Sequence, residues 1–196
     1  MGVILLGAPG AGKGTQAAAL AGRVGAVHIS TGDIFRTHVS RGTDLGRTAQ
    51  RYLDAGQYVP DDVTNAMVRE QIRDDAFVLD GFPRTVRQVA YLDELLDGLG
   101  LSPVRVVVLT VPPQELITRL VRRAHDSGRS DDIEEIIRER QAVYRAETTP
   151  LLGIYRERGL LREVDGAGRP DEVARRIDAA LAAISVTALR PDASAA

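Results

Sequence analysis

The chain has 196 residues, enough for one domain with a sizeable core, and its 44% hydrophobic and 27% charged content is ordinary for a soluble globular protein. A formal net charge of −2 gives no global attraction to nucleic acid or to an anionic membrane, and the lack of cysteine excludes a disulfide framework, a thiolate zinc site and a cysteine nucleophile. No apolar run reaches the length of a membrane span, and MGVILLGAPG lacks a basic leader and a small-residue cleavage site, so a cytoplasmic chain is expected.

In chain order, residues 3–6 form a short apolar run closed by glycine, as in a strand covered on both faces. A helix follows over 13–24, then a short strand at 27–29. Thr31 or Asp33 is a candidate cap for a helix to about residue 41. Residues 43–75 read as helix punctuated by Gly and Pro. A third strand at 77–79 ends at Asp80-Gly81, and 86–96 is an amphipathic helix. Val-rich residues 104–111 form the clearest strand, stopped by Pro112-Pro113. A helix over 115–123 leads into a polar loop, AHDSGRSDD, at 124–132. One long helix is expected over 133–155, a last strand at 160–164 and a last helix at 171–184. The small polar residues of the end read as a flexible tail over 186–196. Strands alternating with helices predict an α/β fold on a parallel, five-stranded sheet.

The stretch GAPGAGKGT, from Gly7 to Thr15, holds the only lysine of the chain, Lys13, against 24 arginines. It follows a strand and opens a helix, the setting of a phosphate loop. Glycines let backbone N–H groups turn inward and approach phosphate oxygens, and the helix N-terminus adds free donors. A lysine there reaches the phosphates as a compact charge, where a planar guanidinium is too wide. The residue after Lys13 is Gly14 rather than Ser or Thr, so the hydroxyl that usually grips Mg²⁺ is missing from its usual seat. That favours Mg²⁺ held by phosphates and water, with no direct protein ligand.

Further constellations point to a second anion. STGDxxR places Arg36 on a helix shortly after Thr31. DGFPRTxxQ places Arg84 and Gln88 after a strand's C-terminal end, where open parallel sheets bind ligands. Arg119 and Arg123, four apart, share a helix face, and Arg129 and Arg140 follow. Together these motifs resemble the adenylate kinase family over about residues 1–184, in its short-lid form, since a chain without cysteine cannot carry the zinc of the long form.

The resemblance implies a P-loop NTPase-type doubly wound sheet with helices on both faces. It implies one kinase domain over 1–185, with an AMP-binding insertion at about 30–59 and a lid at about 124–132, Gly128 serving as a flexible point. It implies that Gly10, Ala11, Gly12, Lys13, Gly14 and Thr15 hold ATP phosphates. Arg119 would stack on the ATP base, Arg123 would meet ATP phosphates and Gly168 would contact the base through its backbone. AMP would be held by Thr31, Arg36, the backbone of Gln57, Tyr58 and Val59, the segment Gly81, Phe82, Pro83 and Arg84, and Gln88, whose amide suits an adenine edge. Arg84, Arg129 and Arg140 would converge on the phosphoryl group in flight, beside Lys13 and Arg123. Asp131 and Asp132 would tie down the lid or orient arginines. The resemblance also implies a cis Phe82–Pro83 bond, a monomer, and ATP with AMP or ADP as partners. Mg²⁺ accompanies ATP, with Asp80 a candidate to orient its waters.

Phosphoryl transfer between nucleotides needs positioning and charge neutralisation, which suits an arginine-rich site with no general base. The alternative is a UMP/CMP-type kinase of the same superfamily; Thr31, Thr85 and Gln88 favour adenylate. A GTP switch would show an NKxD motif, and none is present. Arg122, Arg138, Arg145 and Arg156 read as solvated helix faces, and Tyr52, Tyr58, Tyr144 and Tyr155 as packing residues. His28, His38 and His125 lack metal-ligand spacing.

Overall fold

The computed structural model describes residues 2–73, 76–101, 104–127 and 133–184. Five strands, β1 (Gly2–Gly7), β2 (Val27–Ser30), β3 (Phe77–Asp80), β4 (Arg105–Thr110) and β5 (Leu161–Asp165), form one sheet in the order β2-β3-β1-β4-β5. Every pairing is parallel. The helices are α1 (Lys13–Val24), α2 (Thr31–Ser40), α3 (Asp44–Asp54), α4 (Asp61–Gln71), α5 (Val86–Gly98), α6 (Pro113–Ser127), α7 (Glu134–Val143), α8 (Thr149–Glu157) and α9 (Pro170–Ala182).

The central strand shows why the sheet is covered on both sides. All six residues of β1 are buried. Ile4 and Leu6 join one apolar cluster with Leu79, Val106 and Val108, closed by Val89 and Leu92 of α5 and Leu151 and Tyr155 of α8. Val3 and Leu5 point the other way, to Val78, Val107 and Leu109, closed by Ala17 and Leu20 of α1 and Val173 and Ile177 of α9. The two-residue period of a strand therefore feeds two cores, and a near-continuous apolar run is what such a strand requires.

The register brings the loops after β1, β3, β4 and β5 to one edge. Leu5 pairs with Asp80, Gly7 with Leu109 and Thr110 with Asp165. β1 lies between the two halves of the sheet, so its following loop opens where the strand order reverses, the usual ligand crevice of an open parallel sheet.

Three expectations are corrected and one is refined. Ser30, rather than Thr31 or Asp33, caps α2: its side chain accepts from the Asp33 N–H at 3.3 Å. The Gly/Pro-punctuated stretch resolves into α3 and α4, separated by the extended segment that ends at Pro60. The single long helix over 133–155 is interrupted by a π-helical turn, Tyr144–Thr148. Pro150, in the first turn of α8, has no N–H and its ring crowds the carbonyl one turn back, so regular α geometry fails just before it. The polar loop also begins later than expected, because α6 runs to Ser127. Arg129, Gly128, Asp131, Asp132 and the tail lie outside the described residues. The Phe82–Pro83 peptide is cis.

α2 and α3 meet so closely that a Cβ on Gly46 would fall 2.1 Å from the carbonyl oxygen of His38. Gly46→Ala is expected to destabilise the fold by about 1–3 kcal/mol through overpacking. Gly22→Ala, in α1 with open space around the added methyl, should be neutral or stabilising by about 0.4–1 kcal/mol. Urea unfolding midpoints of the two variants check both; equal midpoints would mean the α2–α3 contact yields freely.

Candidate functional site

The loop between β1 and α1 can exist only with glycine. Gly10 and Gly12 adopt φ of 89° and 92°, and a Cβ on Gly10 would lie 2.8 Å from the Leu116 carbonyl oxygen. Gly12 is the N-cap of α1, with no side chain to occupy the first N–H groups of the helix. Those donors face a cavity of about 660 Å³ and can serve an anion.

Lys13 folds back within this loop, its Nζ donating to the carbonyls of Gly7 at 2.7 Å and Ala8 at 3.1 Å. Its pKa is lowered to about 8. Burial is the largest cause; Asp80 opposes it by raising the value, and Arg84, Arg140 and Arg123 push it lower. Three guanidiniums thus stand near one ammonium. Asp80 is buried at the end of β3 and faces Gly14, whose added Cβ would come 3.3 Å from Asp80 Oδ2. A side chain at position 14 would press on the Asp80 carboxylate.

The large cavity gathers the phosphate loop from Gly10 to Thr15 with Arg119, Arg123 and Gly168. Arg119 is held by Glu115 at 2.5 Å and by the Gly166 carbonyl at 3.1 Å, so its guanidinium lies on the cavity wall near Gly12. A smaller cavity of about 80 Å³ is lined by Gln57, Tyr58, Gly81 and Pro83. Lys13, Arg36, Arg84 and Arg140 line both. The two spaces therefore meet at a cationic junction. Arg36 is oriented by Asp33 at 2.5 Å and sits over Gly32.

Four expected residues line neither cavity. Thr31 is 2% exposed and donates its hydroxyl to the Gly81 carbonyl at 3.0 Å. Val59 and Phe82 belong to the core. Gln88 is 1% exposed and its amide is engaged at both ends: Nε2 donates to Asp61 Oδ1 at 2.7 Å, and Oε1 accepts from the Arg84 backbone N–H at 2.7 Å. In this structure Gln88 is a strut under Arg84. Asp61 completes it by accepting from Thr85 Oγ1 at 3.0 Å. Asp61 has a sequence signal, an acid after Pro60 at a helix start, but nothing local in the sequence ties it to Gln88.

Other site contacts are also tertiary. Gln141 Nε2 donates to the Pro9 carbonyl at 2.9 Å, pinning α7 to the phosphate loop. Gln16 Nε2 donates to the Pro170 carbonyl at 2.9 Å, joining α1 to the segment that carries Gly168. Gln57 donates to Glu139. The exposed arginines behave as solvated faces: Arg138 pairs with Glu134 and Arg156 with Glu163. Tyr155 packs as expected, at 1% exposure. Burial raises the pKa of Tyr144 to about 12, with Tyr58 a lesser cause.

The model of the family described as Adenylate kinase matches residues 5–160. The chain belongs to the adenylate kinase family. It is 51% identical to an adenylate kinase of Clavibacter michiganensis over 98% of this chain and 97% of that protein. It is 52% identical to one from a Nocardioides species over 92% and 97%, and 51% identical to one from Thermus thermophilus over 91% and 96%. The match spans the whole lining of the smaller cavity and that of the larger one apart from Gly166, Gly168, Pro170 and Val173. Among the described residues, no helix is long and apolar enough to cross a membrane, and no cluster of three His, Asp or Glu side chains could hold a metal ion.

The lowered pKa of Lys13 carries a stability consequence. Below about pH 8 the ammonium is charged in both the folded and the unfolded chain, so the fold bears the whole desolvation penalty. Between about 8 and the ordinary 10.5 the folded protein has shed the proton and the penalty shrinks, to vanish above that range. Lys13→Met is therefore expected to be more stable than the native protein at pH 7, by about 1–2 kcal/mol. The gain should fade between pH 8 and 10.5. Chemical denaturation across that range is the check; a loss of stability at pH 7 would mean that the two carbonyl contacts outweigh the burial.

Proposed function

We propose that the chain transfers the terminal phosphoryl group of ATP reversibly to AMP, giving two ADP and serving adenine nucleotide balance. The observation that carries this reading is the pair of cavities sharing Lys13, Arg36, Arg84 and Arg140. The larger, floored by the phosphate loop, takes ATP, with Arg119 stacking on its base and Gly168 beside it. The smaller takes AMP between the backbone of Gln57 and Tyr58 on one side and Gly81–Pro83 on the other. The two nucleotides then point their phosphates at one another across the shared cations.

An AMP phosphate oxygen attacks the γ-phosphorus while the bond to the β–γ bridging oxygen breaks. The attacking oxygen is already ionised, so no proton has to be removed. The protein's task is to offset repulsion between two anions and to favour the charge spread of the transition state. Lys13, Arg84, Arg123 and Arg140 would serve this, with Arg129 as a further donor from the lid over 124–132. Closure of that lid, with the AMP-binding region at about 30–59, would exclude water and prevent hydrolysis.

Mg²⁺ fits the residues present. Asp80 supplies a single carboxylate beside the phosphate loop, left clear by Gly14, and Mg²⁺ commonly keeps its waters and takes phosphate oxygens. When bound it would neutralise phosphate charge, with Asp80 orienting its waters. We further infer a monomeric, cytoplasmic enzyme with no nucleic-acid or membrane partner.

Initial rates with Mg-ATP and AMP, UMP or CMP should show a strong preference for AMP; a preference for UMP or CMP would establish the pyrimidine kinase instead. Arg84→Ala is expected to lower kcat by about 10³-fold or more with a far smaller change in KM for AMP. An effect confined to KM would make Arg84 an anchor only. Lys13→Ala should abolish nearly all transfer while keeping native circular dichroism, and retention of most activity would rule out the assignment of the phosphate loop.

A further inference from the structure

Arg84 is held in an unusual way. Its Nε donates to the Gly81 carbonyl at 2.6 Å, its backbone N–H to Gln88 Oε1 at 2.7 Å, and its own carbonyl accepts from Thr148 Oγ1 at 2.9 Å. Its guanidinium lies over the ring of Tyr58, 4.8 Å from the centroid. The Tyr58 hydroxyl is 2.9 Å from Thr148 Oγ1. Thr148 has one hydroxyl proton and gives it to the Arg84 carbonyl, so toward Tyr58 it accepts. Tyr58 is therefore the donor at the head of a short relay, from Tyr58 O–H to Thr148 O–H to the Arg84 carbonyl. Tyr58 grips Arg84 twice: by the ring face at the guanidinium and by the relay at the backbone.

We propose that Tyr58 is a positioning residue for Arg84, a proposal that rests on the reading of Arg84 as a phosphoryl-transfer group. Stacking covers one face of the guanidinium and leaves its edge N–H donors in the plane for phosphate oxygens. The Gly81 carbonyl takes only Nε, so the terminal nitrogens stay available to the junction of the two cavities. A carboxylate in the place of Tyr58 would orient the group equally well but would neutralise the charge that transfer needs.

The location of Tyr58 gives this contact a second consequence. It lies between α3 and α4, on the stretch that lines the smaller cavity. Thr148 lies in the π-helical turn, 3% exposed. One aromatic side chain therefore links the wall of the acceptor cavity, the π turn and Arg84. Any movement of the Gly56–Tyr58 wall is carried to the guanidinium.

The test is a set of variants assayed with saturating Mg-ATP and varied AMP. Tyr58→Leu removes both grips and should lower kcat about tenfold, the scale of a partly desolvated cation–π contact, with KM for AMP held within about twofold. Tyr58→Phe keeps the ring and loses only the relay, and should lower kcat about threefold. Thr148→Val removes the same relay, so its effect should match that of Tyr58→Phe and not add to it; this pair carries the test if Tyr58→Leu fails to fold. In an Arg84→Lys background the Tyr58→Leu step should shrink below about twofold, because the stacked partner is gone. A tenfold step persisting there would overturn the proposal while leaving the role of Arg84 intact. A rise in KM for AMP at unchanged kcat would also overturn it, showing that Tyr58 meets the acceptor itself. An Arg84→Lys variant with native kcat would remove both the proposal and the reading beneath it.

Discussion

Lys13, Arg84, Arg123 and Arg140 stand so close that each arginine depresses the lysine, whose pKa of about 8 reflects mainly the burial of its ammonium. Like charges crowded in a partly desolvated cleft repel, and a cluster of this kind persists only where the surrounding fold over-determines it. Much of the architecture answers to that constraint. The parallel sheet brings the loop after β1 and the loop after β3 to one edge, through the pairing of Leu5 with Asp80. Among the charged groups acting on Lys13, Asp80 has the largest influence and raises its pKa against the smaller push of each arginine, and the carbonyls of Gly7 and Ala8 hold its ammonium in place.

How the arginines are held bears on what they can do. On the surface, guanidiniums pair with carboxylates, as Arg23 does with Asp178 and Arg158 with Asp93. Such pairs contribute little to stability and occupy the charge. Arg84 is treated differently. Among the described residues its guanidinium meets a carbonyl and an aromatic ring, and its backbone an amide oxygen and a threonine hydroxyl, all of them neutral. Neutral partners fix geometry without cancelling charge, which suits the role in phosphoryl transfer proposed for Arg84. Gln88 and Asp61 serve that same frame from below, and Thr148 serves it from the π turn.

The path from Pro150 to this frame runs through backbone geometry. Proline in the first turn of α8 denies the preceding turn a regular hydrogen bond, and the chain widens into the π turn. That turn presents Thr148 to the Arg84 carbonyl and Tyr144 to the smaller cavity. A position that reads in sequence as a mere interruption of a helix thereby becomes part of the site, as single π turns often do.

The α/β alternation, the phosphate loop and the family were legible in the sequence, because each rests on local chemistry. A strand-bounded glycine run has few uses other than turning N–H groups inward, and a buried strand must be apolar on both faces. The lone lysine was legible for the same reason, since only its shape suits that loop. What tertiary structure decided was which polar groups line the cavities and which also brace the frame. Gln88 has the chemistry to read a base, yet Asp61, which lies 27 residues away, and the Arg84 backbone use both ends of its amide. Tyr58 reads as packing in one dimension and stacks on Arg84 in three. A side chain's donors and acceptors are written in its residue type, but the partner that consumes them is chosen by long-range packing.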